Sequence, residues 1–238
     1  MTWVAGADGC PAGWTIVWRA ADTGDLEVEV VRCIAEVLLR EDRNLARLAI
    51  DMPIGLLDAA ARGGRDADRE ARRLLGGRRG SSVFPAPVRG VLAAADFEEA
   101  REVSRRSSPE AIAVSAQAFG LVDKIREVDR LVSPARQDRI VEVHPELSFF
   151  EMNDGSPVIP PKRSEEGFEA RIALLERAWS RPLRDFVEAS ASSGAARDDI
   201  VDAMAACWSA ERVRRGTAIR VPADPPRDAR GLRMEIVR

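Results

Sequence analysis

The first fifty residues show the apolar patterns of strands separated by short turns. Residues 3–7 form an apolar run, and residues 14–20 and 26–32 alternate between apolar and polar positions. Such alternation is typical of strands that bury one face. A helical pattern over 34–43 and a short apolar run over 45–50 follow. The pattern therefore predicts the order β-β-β-α-β.

The remainder of the chain is mainly helical in pattern. A Gly-rich loop is expected at 76–87, a Pro-rich loop at 153–163, a strand at 140–143 and short strands at 218–221 and 232–237. Helices are expected at 66–75, 95–105, 109–120, 121–132, 168–179, 183–189 and 198–215. We found no internal repeat and no low-complexity linker. The prediction is one α/β domain over 1–238, with a mixed sheet, flanking helices and a helical insertion at about 58–138.

Composition narrows the class of protein without choosing a function. The 238 residues carry a net charge of -3, so no global field attracts nucleic acid. Three widely spaced cysteines have no zinc-site spacing and favour a reducing cytoplasm. No signal peptide is expected, and no apolar stretch reaches the length of a membrane span.

Two acidic residues lie where predicted strands end. Asp8 follows the first strand and precedes a Gly/Pro turn, and Asp51 follows the fourth strand. Each alone has an ordinary explanation, because aspartate often stabilises turns. If the first and fourth strands are neighbours, however, the two carboxylates lie side by side. Such a pair suits Mg²⁺, which binds one or two carboxylates together with phosphate oxygens.

A third acidic group opens the strongest predicted helix. Asp199 and Asp202 are three residues apart and share one helix face, while Asp198 is expected to cap the helix. Acids are favoured in a first helical turn, which gives a structural explanation for one of them. A cap does not need three acids, so we expect Asp199 or Asp202 to reach the metal.

His144 is the only histidine of the chain and lies between Glu142 and Glu146. A lone histidine is often structural, and a general base or an orienting group is the alternative. Pro145 predicts a strand end or turn here, not a helix. Of the two glutamates, Glu146 is favoured as a site residue because it lies beyond the strand.

Backbone amides and hydroxyls of Ser81 and Ser82 could bind phosphate. Arg79 beside them and Lys162 in the Pro-rich loop are further candidate substrate contacts. The segment lacks the Gly-Lys-Ser/Thr of a Walker sequence, and a plain connecting loop is an equal interpretation.

The chain resembles the DUF429 family of predicted RNase H-like nucleases, in motifs that run nearly from end to end. The matching stretches lie at 6–14, 50–56, 68–72, 79–87, 142–146, 199–203 and 231–236. The resemblance implies an RNase H-like fold and phosphodiester hydrolysis with Mg²⁺ or Mn²⁺ as cofactor. It also implies a resolvase-type order of acids, which Asp8, Asp51 and the Asp199/Asp202 pair match. This chain departs from that pattern at the fourth strand, where it has Asp51 and the pattern more often has glutamate.

Three functional hypotheses follow. The first is a metal-dependent nuclease or phosphodiesterase, with a nucleic acid or nucleotide as substrate and Asp8, Asp51, Asp199 and Asp202 as metal ligands. The second is a nucleotide-binding phosphotransferase or ATPase-like protein of the same fold core, for which the chain looks short. The third is a non-catalytic binding module, which the retained acids disfavour because clustered like charges are costly without a cation. A homodimer is compatible with each hypothesis, and no membrane association is expected.

Overall fold

The computed structural model describes residues 1–191 and 194–238. The strands are β1 Thr2–Cys10, β2 Gly13–Ala20, β3 Leu26–Val31, β4 Asn44–Ile50, β5 Ile140–Glu142, β6 Arg220–Val221 and β7 Ile236–Val237. The α-helices are α1 Ala35–Leu38, α2 Asp66–Gly80, α3 Phe97–Arg106, α4 Ala116–Gly120, α5 Val122–Leu131, α6 Pro145–Met152, α7 Glu165–Trp179, α8 Arg184–Ala191 and α9 Arg197–Arg215. A 3₁₀ helix covers Arg89–Ala93.

The backbone forms two compact units. The first comprises Met1–Asp51, Arg139–Ile219 and Val237–Arg238. The second comprises Met52–Asp138 and Arg220–Ile236. The long segment of the second unit, Met52–Asp138, nearly coincides with the helical insertion predicted at about 58–138. The organisation as a single domain stays a prediction.

The first unit contains a mixed five-stranded sheet in the order β3-β2-β1-β4-β5. Strands β1, β2 and β3 are antiparallel neighbours, and β4 and β5 run parallel to β1. Helices α6, α7, α8 and α9 pack with the sheet around one apolar core that includes Val4, Ala49, Phe149 and Met204. The expected α/β class and mixed sheet are therefore confirmed.

The second unit is built around short helices. Its small apolar core includes Val91, Ala100 and Val122, from the 3₁₀ helix, α3 and α5. The helix predicted at 109–120 forms only over Ala116–Gly120, because the Ser115 hydroxyl accepts the Ala118 amide and starts the helix there. Helix α2 continues to Gly80 through a kink at Gly76, whose φ is 67°, so part of the predicted loop is helical.

Two further elements of the first unit differ from the prediction. Strand β1 extends to Cys10, because the hairpin with β2 closes through a two-residue turn and pairs Asp8 with Thr15. The helix expected over 34–43 ends at Leu38, and Leu39 is 74% exposed. Within the described ranges, no helix combines the length and apolar character needed to cross a membrane.

Candidate functional site

The neighbouring strands β1 and β4 bring Asp8 and Asp51 together. Ala7 pairs with Ile50, and the Asp51 amide donates to the Ala7 carbonyl at 2.9 Å. This bond extends the parallel ladder by one residue, so Asp51 lies beside Asp8. The two side chains share a hydrogen bond. The adjacency that the sequence pattern required is therefore present.

Helix α9 brings Asp202 to the same place by packing directly on β1. A Cβ atom on Gly6 would lie 2.1 Å from both the Ala203 carbonyl oxygen and the Cys207 amide nitrogen. Only glycine permits this approach of helix to strand. Asp202 precedes Ala203 and is 3% exposed. The close contact fixes the depth at which its carboxylate is buried.

Lys162 supplies an ammonium group to this cluster. Its Nζ donates to Asp202 Oδ2 at 2.5 Å and lies 3.9 Å from Asp198 Oδ2. The Lys162 side chain is 38% exposed, whereas that of Asp202 is 5% exposed. A largely buried carboxylate therefore has a partner that reaches it from the solvent side.

Asp198 does not cap α9, which corrects the sequence-based expectation. The N-cap is Ala196, and Asp198 lies within the first turn, where it accepts a bond from Arg163 at 3.1 Å. The helix begins one residue earlier than predicted, so Asp198 became a surface partner for the loop that carries Lys162.

The three buried carboxyl groups influence one another strongly. Burial raises the pKa of Asp8 well above its ordinary range, and the charges of Asp202 and Asp51 raise it further. Burial also raises the pKa of Asp51, although His144, Lys162 and the hydrogen bond with Asp8 act against it. Burial and the neighbouring negative charges thus both favour the protonated form of Asp8.

Asp202 and Lys162 show opposite balances of burial and charge. Burial raises the pKa of Asp202 to about 6, even though the charge of Lys162 and its hydrogen bond lower it. Burial alone would lower the pKa of Lys162, but the neighbouring Asp202, Asp8 and Asp198 raise it above its ordinary value. The ammonium therefore stays charged, while the carboxylates compete for too little positive charge.

The segment around His144 follows the end of β5, as predicted, but it also starts helix α6, which the sequence-based prediction excluded. Pro145 occupies the first turn of α6, where its missing N–H removes no helical bond. His144 is the N-cap, and its Nδ1 accepts the Glu146 amide at 3.2 Å. In neutral His144 the proton consequently lies on Nε2, where it can be donated, and a role as general base stays a prediction.

Glu146 lies near the cluster but is held by an arginine. Arg171 Nη2 donates to Glu146 Oε1 at 2.6 Å, and the two side chains are 1% and 6% exposed, respectively. The charge of Glu146 raises the pKa of both Asp51 and Asp202. Its role as a catalytic group stays a prediction, since its visible partner is Arg171.

The remaining candidates are distributed between the two units. Asp199 lies half-buried in the first turn of α9, and its charge raises the pKa of Asp8. Arg79, Ser81 and Ser82 belong to the second unit, at the end of α2. The Ser82 hydroxyl donates to the Arg79 carbonyl at 2.7 Å, a local turn contact. A phosphate-binding role for these three residues stays a prediction.

The metal-binding prediction has limited geometric support. In residues 1–191 and 194–238, no three Asp, Glu, His or Cys side chains are grouped closely enough to hold one ion together. The cluster is thus a set of buried carboxylates with an ammonium among them.

Gly6 and Arg171 are two residues of this region that sequence reasoning missed. A glycine inside an apolar strand signals close approach by another backbone, and Gly6 follows that rule. Arg171 lies at helical spacing between the buried Phe168 and Leu175, so it occupies an apolar position of α7. A charged residue at such a position indicates a buried ion pair.

Sheet, helix and cluster together define an α/β protein in which Asp8 of β1 and Asp51, directly after the parallel β4, lie side by side near the buried Asp202 of α9. Residues 6–227 match the model of the family described as "Protein of unknown function (DUF429)". The chain belongs to this family. No curated protein matches the chain significantly, and no solved structure does so either.

Proposed function

We propose that this protein is a metal-dependent phosphodiesterase of RNase H-like fold that acts on a nucleic acid or nucleotide. The observation that carries the proposal is the grouping of the buried Asp8 and Asp202 with the half-buried Asp51, all with raised pKa values and with the ammonium of Lys162 beside them. A strongly perturbed carboxylate group of this kind is typical of a functional site.

The order of strands supports the proposed fold. Three antiparallel strands lead into β4, and both β4 and β5 run parallel to β1. This is the β-β-β-α-β order that the sequence pattern predicts, with Asp8 near the end of β1 and Asp51 directly after β4. Fold alone does not define a reaction, so the proposal depends on the carboxylates.

The donor set fits a hard divalent cation by its chemistry. Asp8, Asp51 and Asp202 offer carboxylate oxygens, which Mg²⁺ and Mn²⁺ prefer. The same three groups are the ones whose pKa values are raised, so a cation would relieve their mutual repulsion. Because no three of these side chains converge on one point, Asp8 and Asp51 would hold the ion as a pair, with Asp202 and Asp199 as outer ligands. A bound ion would lower the pKa of a water and stabilise charge on the phosphate.

The protein's own side chains supply orientation and charge. The Lys162 ammonium can exchange its hydrogen bond to Asp202 for one to a phosphate oxygen, since the side chain is partly exposed. His144 presents its Nε2 proton as a hydrogen-bond donor because Nδ1 is already an acceptor. The Asp51 amide is bonded to the β1 backbone, which fixes the position of this residue beside Asp8.

The test is phosphodiester cleavage with Mg²⁺ or Mn²⁺, on single-stranded and duplex DNA and RNA and on bis(p-nitrophenyl) phosphate. We expect cation-dependent cleavage that Asp8→Asn lowers by at least about a hundredfold, because several kcal/mol of transition-state stabilisation are lost.

The matched control is Asp22→Asn, which changes an exposed aspartate in the turn between β2 and β3 and should leave the rate unaltered. Absence of cation-dependent cleavage on every substrate would refute the proposal. Equal rates for Asp8→Asn and the unaltered protein would do the same.

A further inference from the structure

Lys162 reaches the carboxylates from a loop whose shape depends on a buried ion pair. The loop between α6 and α7 contains Pro160 and Pro161 directly before Lys162. Proline restricts its own φ and the conformation of the preceding residue, so this stretch is stiff. A stiff segment transmits the position of its anchors to the lysine that follows.

The first anchor of this loop is Arg171 of α7. Its Nη1 donates to the Pro160 carbonyl at 3.1 Å and to the Gly167 carbonyl at 2.9 Å. Its Nη2 donates to Glu146 at 2.6 Å. One buried guanidinium therefore connects the loop, the first turn of α7 and the first turn of α6.

The second anchor is a close backbone contact. A Cβ atom on Gly167 would lie 1.9 Å from the Pro161 carbonyl oxygen, so the loop rests directly on α7. The Ser164 amide and hydroxyl both donate to the same carbonyl, at 3.0 and 2.8 Å. Lys162 thus directly follows two fixed carbonyl groups, those of Pro160 and Pro161, and its side chain extends to Asp202.

A simple structural role would not require the ionic character of this pair. A buried Arg–Glu pair usually contributes little net stability over well-packed apolar residues of similar volume. The pair between Glu146 and Arg171 costs desolvation at a place where an apolar pair would fill the same space.

We propose that Glu146 and Arg171 are positioning residues, which hold the 160–164 loop so that the Lys162 ammonium stays on Asp202. Glu146 acts through Arg171 and Lys162, not as a base. The inference deepens the proposed function, because Lys162 is the group assigned there to the phosphate. Glu146 and Arg171, which lie outside the carboxylate cluster, would therefore control whether the positive charge of Lys162 reaches it.

The test uses the fact that Lys124 and Lys162 are the only lysines of the chain. Brief acetylation with acetic anhydride, followed by peptide mass spectrometry, measures the reactivity of Lys162 with Lys124 as the internal reference. Acylation requires the neutral, accessible amine, so a lysine held on a carboxylate reacts slowly.

The main variant is Glu146→Leu combined with Arg171→Met, which removes both buried charges at once and so avoids an unpaired ion. We expect acetylation of Lys162 to rise about tenfold or more relative to Lys124, because the amine is no longer held on Asp202; a tenfold change corresponds to about 1.4 kcal/mol. In Glu146→Gln the amide oxygen still accepts from Arg171, so Lys162 should react nearly as slowly as in the unaltered protein.

A control for general loosening comes from the pair between Arg19 and Glu211, which are 2.7 Å apart. Arg19→Met with Glu211→Leu removes a similar largely buried pair of the first unit without touching the loop. Its Lys162 reactivity should stay within about twofold of the unaltered protein, as expected for independent sites. Continued protection of Lys162 in a folded Glu146→Leu/Arg171→Met protein, or equal exposure in the control, would overturn the inference.

The same assay separates this inference from the proposed function. Adding Mn²⁺ to the unaltered protein should speed the acetylation of Lys162 if the cation takes its place on Asp202. Lack of a Mn²⁺ effect would count against metal binding alone, because the positioning result is measured without any metal.

Discussion

The carboxylate cluster of the first unit and two buried acids of the second unit differ in how their charge is satisfied. In the second unit, Asp68 accepts the Arg65 guanidinium at 2.7 Å and two backbone amides, with both side chains at most 2% exposed. Asp228 accepts Arg89 and the amides of Leu56 and Leu232. These acids are satisfied by fixed donors, as buried charges in a stable fold are expected to be.

The first unit instead gathers Asp8, Asp51 and Asp202 so that their pKa values rise. The ammonium facing them is on a side chain that is 38% exposed. Charge satisfied by rigid donors supports structure, whereas charge opposed by a movable donor can be exchanged for a ligand. The difference separates the acids that hold the fold from those suited to chemistry.

The largest expected effect breaks the satisfied pair. Asp68→Ala leaves the buried Arg65 without its carboxylate and should lower the free energy of unfolding by about 3–5 kcal/mol. Urea unfolding followed by circular dichroism measures it. The control Asp66→Ala removes a half-exposed partner of Arg69 and should change stability by less than about 0.5 kcal/mol. Equal losses in the two variants would show that burial does not distinguish these acids.

The next effect has the opposite sign. In metal-free buffer with EDTA, Asp202→Asn should raise the free energy of unfolding by roughly 1–3 kcal/mol at neutral pH, because burial opposes the carboxylate charge. The pKa of Asp202 rises from 3.8 to about 6 on folding. The folded protein therefore binds the extra proton between these values.

It follows that the unaltered protein loses stability relative to Asp202→Asn as pH rises from about 4 to about 6, with a constant difference above that window. Urea unfolding at a series of pH values tests this. The exposed Asp22→Asn should show no such trend. A variant less stable than the unaltered protein at pH 7.5 would contradict the assignment of Asp202 to an unsatisfied cluster.

The smallest effect concerns the movable donor itself. Lys162→Met removes the ammonium from Asp202 and should tighten Mn²⁺ binding by about tenfold, equivalent to 1.4 kcal/mol. Isothermal titration calorimetry measures the affinity. Lys124→Met, in the second unit, serves as the matched control and should leave it unaltered. Weaker binding in Lys162→Met would mean that the lysine assists the cation instead of competing with it.

The strands of the first unit follow from local pattern, whereas the adjacency of Asp8 and Asp51 also required the first and fourth strands to be neighbours, as they are. Alternation along residues 14–20 and 26–32 predicts β2 and β3, because successive side chains of a strand point to opposite faces of the sheet. Helix α9 is also predicted, although it starts at Arg197 and its N-cap is Ala196. The N-cap is the last extended residue before the helix. Several polar residues in a row, Arg197 to Asp199, make that position ambiguous in the sequence.

Long-range contacts are what the sequence pattern does not predict. The bond from Lys162 to Asp202 spans 40 residues and depends on a loop without regular structure. The pair between Glu146 and Arg171 depends on how two helices pack. Helix α6 was missed because proline was read as ending an element, although it is favoured in a first helical turn.

The contact of α9 with Gly6 has a consequence for anyone who would transplant this site into another protein. The short distance between α9 and β1 is possible only because Gly6 has no Cβ atom, since any side chain there would meet the α9 backbone. Copying the four aspartates onto a scaffold with ordinary helix–sheet spacing would separate Asp202 from Asp8. A successful design has to copy the glycine first and the acids second.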